Sequence, residues 1–155
     1  MPTEPPPTRR TDRRIVTAQA LLGIALALSF LRSDAASGPP WTWLALVLAG
    51  VAAWVGVSAL VILRPVFRIA PTPRRDGVLV THGIYRWLRH PMYTAVLLTL
   101  AAVALYRPGP WVLAVAGVNI VFYLTKSRYE EGLLRAHYPG YEDYRRRTLG
   151  VLPGW

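Results

Sequence analysis

The sequence has no cysteine and few acidic residues, with 8 Asp and Glu against 18 Lys and Arg in 155 residues. The absence of cysteine excludes a disulfide framework, a cysteine-ligated zinc site and a thiol nucleophile. Charged residues make up only 17% of the chain, below the roughly 25% of an average soluble domain. The mean hydropathy is positive, at +0.29. This balance predicts a membrane protein, and the length allows one domain.

Long stretches without a formal charge alternate with polar segments along the chain. The second stretch is long enough to cross a bilayer core of about 30 Å, and the others lie near the lower limit of about 17 residues. We therefore predict an all-α integral-membrane protein with four transmembrane helices, of which the last two form a helical hairpin. The predicted spans are residues 15–31, 41–63, 91–106 and 110–125.

Two alternatives concern these segments. The shorter ones could be buried helices of a soluble protein, and residues 15–31 could be a cleavable signal peptide. We favour four membrane spans, because so many apolar segments leave little polar surface to cover them, and we favour an uncleaved first span. Residues 1–14 are predicted to be a disordered basic tail. Residues 15–155 form one membrane-embedded domain that ends in a cytosolic segment, residues 126–155.

The distribution of basic residues predicts the orientation in the membrane. Sixteen of the 18 basic residues lie in the N-terminal tail, the loop after the second span and the C-terminal segment, and the other two are Arg32 and Arg107. By the positive-inside rule, both termini and the long middle loop are cytoplasmic. No nucleic-acid partner is predicted, because no RNA- or DNA-binding motif accompanies the charge. Contact with anionic lipid headgroups is expected instead.

A first polar cluster leads into the third span. Gly83 allows a turn, and Pro91 suits the first turn of a helix. The N-terminus of that helix carries a partial positive charge, so that it and Arg89 can hold a carboxylate together. The simpler alternative is that Arg89 and His90 are only interface anchors.

A second polar cluster follows the fourth span, with Lys126, Arg128, Glu130 and Glu131. Adjacent carboxylates on a helix point about 100° apart, so one can face the bundle while the other faces an arginine. A carboxylate at the membrane boundary needs a partner or a ligand. The simpler alternative is pairing along the helix surface at i,i+4 spacing.

Together the two clusters resemble a known family. The order Leu-Val-x-x-Gly-x-Tyr-x-x-x-Arg-His-Pro-x-Tyr, a short helical hairpin, Glu-Glu-x-x-Leu, Tyr-x-x-Tyr and a late Pro is similar to the isoprenylcysteine carboxyl methyltransferase (ICMT) family. That family in turn resembles the phospholipid N-methyltransferases. The resemblance implies an integral-membrane enzyme that uses S-adenosylmethionine (SAM), held by the hairpin and the C-terminal segment and reached from the cytosol.

The resemblance also implies roles for individual residues. Catalysis is expected of Arg89, His90 and Glu130, and substrate binding of Lys126, where the family more often has Arg, or of the nearby Arg128. No metal site is expected. The implied cofactor contacts are Gly77, Val78, Leu79, Val80, Tyr85, His90, Pro91, Met92, Tyr93, Glu130 and Glu131.

The predicted function is methyl transfer to a lipophilic acceptor, a carboxylate, amine or thiol of a lipid or prenylated compound, at the cytosolic membrane face. Two alternatives remain. One is an NADPH-dependent membrane reductase of the sterol-reductase type, because those enzymes carry a similar Arg-His-x-x-Tyr stretch. The other is a non-catalytic membrane protein with this fold. The sequence leaves the acceptor and the oligomeric state open.

Overall fold

The computed structural model describes residues 9–33, 38–64 and 78–151. Within these ranges the chain forms five α-helices and one turn of 3₁₀ helix, Gly83–Arg86. The α-helices are α1 (Arg9–Arg32), α2 (Trp41–Leu63), α3 (Pro91–Tyr106), α4 (Pro110–His137) and α5 (Tyr141–Arg147). The prediction of an all-helical protein is therefore confirmed for the described residues.

Helices α2 and α3 begin and end where their apolar runs do. Pro91 and Pro110 lie in the first turns of α3 and α4, where a missing N–H costs no helical hydrogen bond. Helices α3 and α4 are joined by a short turn that contains Arg107 and Gly109. The predicted helical hairpin is thus present with its predicted boundaries at the turn.

Helices α1 and α4 are longer than predicted. α1 begins at Arg9, so residues 9–14 are helical and not part of a disordered tail. Asp12 lies in the first turn of α1, where a negative charge stabilises the positive end of the helix dipole. α4 continues through the polar residues that follow the apolar run and ends at His137. The paired glutamates therefore lie on a continuous helix.

Three helices, α1, α2 and α4, are long and apolar enough to cross a membrane. Their outward surfaces are apolar, since Leu31, Trp54 and Val121 are each more than 60% exposed. Helix α3 has only 16 residues, which gives a length of about 24 Å against a bilayer core of about 30 Å. The chain is an integral-membrane protein with three such helices and a shorter apolar one, while the fourth crossing and the cytoplasmic position of the termini stay predictions.

Small residues allow the helices to pack closely. α2 packs along α3, α1 packs along α4, and α4 also contacts α3. A Cβ placed on Gly56 of α2 would lie 3.4 Å from the Cβ of Ala95 on α3, and Ala52 and Ala59 are buried on α2. Close approach of this kind is typical of helices in membranes, where apolar side chains gain little by leaving lipid.

The segment after α4 folds back onto the start of α3. Tyr141 of α5 is buried, and the hydroxyl of Tyr144 donates to the carbonyl of Tyr85 at 2.6 Å. The backbone N–H of Leu149 donates to the carbonyl of Trp87 at 2.9 Å, and the N–H of Arg89 donates to the carbonyl of Leu149 at 2.8 Å. These bonds hold α5 and the residues that follow it against the segment that precedes α3, at one end of the bundle.

Gly83 starts the 3₁₀ turn with a φ of +59°, a conformation that side-chain-bearing residues adopt at a cost of about 1–3 kcal/mol. A Cβ at this position would also overlap Cδ1 of Ile62. We expect Gly83→Ala to destabilise the fold by at least this amount, seen as a lower thermal unfolding midpoint in detergent.

Gly132→Ala is the matched control. Gly132 lies within α4, and a Cβ there would meet open space, so alanine should stabilise the helix by up to about 1 kcal/mol. An equal fall in the midpoint for both variants would contradict the role assigned to Gly83.

Candidate active site

The candidate site lies where the start of α3 meets the polar extension of α4. His90 occupies the N-cap position of α3 without a capping bond from its side chain, and Tyr93 lies in the first turn of that helix. Lys126, Glu130 and Glu131 lie on α4. Because α4 continues as a helix past its apolar run, these side chains project from a rigid element and not from a loop. The structure therefore brings together both polar clusters identified in the sequence.

The carboxylate of Glu130 lies close to Tyr93, Lys126 and His90. Its Oε1 accepts a hydrogen bond from the hydroxyl of Tyr93 at 2.6 Å and lies 3.8 Å from Nζ of Lys126. Its Oε2 lies 4.0 Å from Nδ1 of His90. The side chain of Glu130 is only 15% exposed, so this carboxylate is held by neighbours with little solvent.

Glu131 has a different set of partners, as expected for adjacent residues of a helix. Nε of Arg89 donates to its Oε1 at 2.8 Å, and Nε2 of His90 lies 3.3 Å from the same atom. Glu131 lies beyond the apolar run of α4. This position lets its carboxylate pair with the guanidinium of Arg89 while it lies beside the ring of His90.

Arg89 connects three parts of the chain. Besides its bond to Glu131, Nη1 donates to the carbonyl of Arg145 at 2.9 Å and to the carbonyl of Thr148. Its side chain is 1% exposed. These donors therefore serve the chain itself, which gives Arg89 a positioning role in the structure, and the direct contact with a reacting group expected from the sequence stays a prediction.

His90 stacks on Tyr93, with ring centroids 5.5 Å apart and an angle of 4° between the ring planes. Its Nε2 is buried and has no hydrogen-bond partner of good geometry among the described residues. A buried ring nitrogen without such a partner is a candidate for contact with a bound molecule. His90 thus covers one face of the Tyr93 ring, and the Tyr93 hydroxyl bonds Glu130.

Lys126 is buried within the cluster, with its side chain 3% exposed. Its Nζ donates to Oε1 of Gln19 at 2.6 Å and lies 5.1 Å from the centre of the Tyr93 ring. Arg128 is exposed and lies two residues further along α4, on the opposite face of the helix. Of the two predicted substrate-binding residues, Lys126 is the one that lies in the cluster.

Sequence reasoning missed two residues of α1. Gln19 contacts Lys126 directly, and the charge of the buried Asp12 interacts with both Lys126 and Glu130. The two lie seven residues apart, which puts them on one face of α1. That spacing of polar residues is a signal in the sequence, but the prediction of an apolar span over residues 15–31 does not use it.

The other residues predicted to contact the cofactor lie on α3 and on the segment that precedes it. Pro91 is fully buried and Met92 is half-buried at the start of α3, whereas Tyr85 is buried below α5. The segment before the 3₁₀ turn contains an exposed Val78, followed by the half-buried Leu79 and Val80; Gly77 lies outside the described residues.

A cavity of about 600 Å³ opens between the 3₁₀ turn and α5. Its lining includes Thr81, Trp87, Asp143 and Arg147 and contains none of the predicted site residues. The candidate site is therefore the polar cluster and not this cavity, since the buried carboxylates and the buried lysine lie in the cluster. Within the described part of the chain, no group of three or more His, Cys, Asp or Glu residues is arranged to hold a metal ion.

The fold and the cluster define an integral-membrane helical protein with a charged site at one end of its hairpin. A family model described as phospholipid methyltransferase matches residues 40–140. The chain therefore belongs to the phospholipid methyltransferase family, and the family resemblance predicted from the two motifs is confirmed.

The relatives of this chain include a metal resistance protein and a probable methyltransferase. The chain is 28% identical over 113 residues to the cobalt-zinc-cadmium resistance protein CzcN of Cupriavidus metallidurans, covering 72% of this chain and 52% of that protein. It is 32% identical over 79 residues to a probable protein-S-isoprenylcysteine O-methyltransferase of Oryza sativa subsp. indica, covering 48% of this chain and 40% of that protein. The chain thus spans about half the length of the curated relatives it matches, or less.

A solved structure has the same fold. The eukaryotic intramembrane Ras methyltransferase ICMT superimposes with a TM-score of 0.68 over 89% of this chain and 53% of that chain, at 18% sequence identity. This likeness shows the shared fold, while the family model supports the predicted class of enzyme, a methyltransferase, and does not favour a reductase.

We expect Arg89→Lys to destabilise the protein by about 1–3 kcal/mol, because the single nitrogen of an ammonium cannot reach the acceptors that Nε and Nη1 of the guanidinium meet from two separate positions, and buried acceptors are left unsatisfied. The measurement is the thermal unfolding midpoint in detergent. Arg146→Lys, the same change at an exposed arginine of α5, is the control and should leave the midpoint unchanged. A midpoint for Arg89→Lys equal to that of the control would rule out the connecting role of Arg89.

Proposed function

We propose that this protein is an integral-membrane methyltransferase that transfers a methyl group from SAM to a lipophilic acceptor at the cytosolic membrane face. The observation that carries the proposal is the meeting of His90, Tyr93 and Glu130 at the end of the apolar hairpin in a chain of the phospholipid methyltransferase family. The family gives the reaction class, and the cluster gives the place where it would occur.

The charges of the cluster suit a cationic cofactor. Asp12, Glu130 and Glu131 supply three carboxylates, while Lys126 and Arg89 supply two cations. Arg135 also lies 3.8 Å from Glu131, but its side chain is 46% exposed and screened by solvent. With the five groups ionised, one negative charge is therefore left among the side chains shielded from solvent to attract a positively charged ligand. When bound, SAM supplies a methyl group on a positively charged sulfonium, so its chemistry fits the side chains that are present.

Among these side chains, Glu130 is the residue best placed to hold a cofactor amine or hydroxyl, because Tyr93 fixes its orientation through a 2.6 Å bond. Arg89 and Glu131 keep the start of α3 at a fixed distance from α4. Methyl transfer is an in-line displacement, in which positioning of the two reactants contributes most of the acceleration. The described residues would thus act mainly by orienting the reactants and excluding water.

The need for a base depends on the acceptor. A carboxylate or thiolate acceptor needs no general base, whereas an amine must lose a proton, which the buried His90 Nε2 can accept in its neutral form. Lys126 would bind the acceptor, since it is the predicted substrate-binding residue that lies in the cluster. The acceptor would enter sideways from the bilayer, because the site lies at the end of apolar helices.

The first test is ligand binding to the purified protein in detergent. We expect S-adenosylhomocysteine, the product form of the cofactor, to raise the unfolding midpoint because it binds only the folded state. NADPH should leave the midpoint unchanged. Stabilisation by NADPH alone would instead support a membrane reductase, and stabilisation by neither would support a protein without this catalytic function.

The binding site is tested with two matched carboxylate variants. Glu130→Gln should weaken S-adenosylhomocysteine binding about 10- to 100-fold, the loss expected for one charge-assisted hydrogen bond. Glu142→Gln makes the same change at a glutamate of α5 whose side chain is 43% exposed and pairs with Arg145, and this variant should bind like the wild type. Equal affinity in the two variants would exclude Glu130 from the cofactor site.

The acceptor is identified by incubating the enzyme with methyl-labelled SAM and a total membrane lipid extract, followed by mass spectrometry of the labelled product. We expect the label in a lipophilic compound. Labelling confined to water-soluble compounds would contradict entry from the bilayer.

A further inference from the structure

Helix α1 contributes polar side chains to a site that otherwise belongs to the hairpin. Gln19 and Asp12 face α4, while the family match begins only at residue 40. Polar residues within a membrane-spanning helix are costly and commonly have a functional or helix-packing role. The side-chain carbonyl of Gln19 accepts a hydrogen bond from Nζ of Lys126 on α4.

Lys126 is the only lysine in the sequence, where the other 17 basic residues are arginines. A lysine ammonium has three N–H donors. One of these donors is bound by Oε1 of Gln19 at 2.6 Å, whereas Oε1 of Glu130 lies 3.8 Å from the same nitrogen. That separation is too long for a hydrogen bond, so Lys126 is drawn toward α1 and away from full pairing with Glu130.

This geometry has a consequence for Glu130 as well. Oε1 of Glu130 already accepts the bond from Tyr93. Without the carbonyl of Gln19, the flexible Lys126 side chain would gain most by moving onto the same carboxylate, since a buried cation needs a partner. Gln19 thus keeps the cation and the carboxylate available for different ligands.

We propose that Gln19 is a positioning residue that holds the Lys126 ammonium toward α1, where it binds an anionic oxygen of the acceptor. The inference rests on the proposed function in one respect, that Lys126 contacts the acceptor. It adds that α1 forms the acceptor side of the site, and that discrimination between charged and neutral acceptors depends on a residue outside the matched region.

The test compares two ligands that differ only in charge. N-acetyl-S-farnesyl-cysteine carries a free carboxylate, and its methyl ester is neutral with the same prenyl chain. Binding is measured in detergent as the concentration of each ligand that gives half of its maximal thermal stabilisation. We expect the wild type to bind the carboxylate about tenfold more tightly than the ester, as for a charge-assisted hydrogen bond.

Three variants of α1 separate positioning from a structural role. Gln19→Leu keeps the helix and the bulk but removes the acceptor oxygen, and should abolish the preference for the carboxylate while affinity for the ester stays within about twofold of wild type. Gln19→Asn keeps a neutral amide carbonyl on a side chain one methylene shorter and should retain part of the preference. Thr17→Leu, an equivalent change on the exposed face of α1, should behave like the wild type.

Each outcome decides the proposal. A wild type without preference for the carboxylate, or a preference that persists in Gln19→Leu, overturns it. An equal loss of affinity for both ligands in Gln19→Leu also overturns it, because that result indicates a structural role. If the preference depends on Gln19 but S-adenosylhomocysteine does not bind the wild type, the positioning role stands and the proposed methyltransferase function fails.

Discussion

The rest of the site depends on the buried guanidinium of Arg89. It bonds Glu131 on α4 and carbonyls of Arg145 and Thr148 at and just after α5, and it directly precedes the residue at the N-cap position of α3. A planar guanidinium can satisfy several acceptors at fixed angles, which an ammonium cannot. Because these bonds fix where α3 starts relative to α4, they also determine that Tyr93 meets Glu130.

The paired glutamates divide two tasks between them. Glu131 neutralises the buried Arg89, so that neither charge is left alone in a region of low dielectric. Glu130, one residue earlier and about 100° around the helix, is then left to Tyr93 and the loosely paired Lys126. A single carboxylate could not complete the structural pair and still be offered to a ligand, which explains why the site has both.

Much of the helical framework follows from the sequence, because apolar length and proline positions determine α2 and α3 almost residue by residue. The family motifs also identified the residues of the hairpin cluster. The contacts of Arg89 with the chain after α5 did not follow from the sequence, since they depend on how a distant segment folds back. The bond between Gln19 and Lys126 did not follow either, because the two are 107 positions apart, and the polar spacing along α1 indicates a face of that helix but not the residue that it meets.

The family model covers the hairpin residues of the site but not those on α1. The residues that orient Glu130 lie on the hairpin, within the matched range of residues 40–140. The residue that bonds Lys126 lies on α1, outside that range. The family model therefore supports the reaction class, but it does not reach the α1 side of the site. Since the proposed acceptor contact is made by Lys126 under the influence of Gln19 and Asp12, the acceptor must be inferred from this chain's own contacts and not from the names of its relatives.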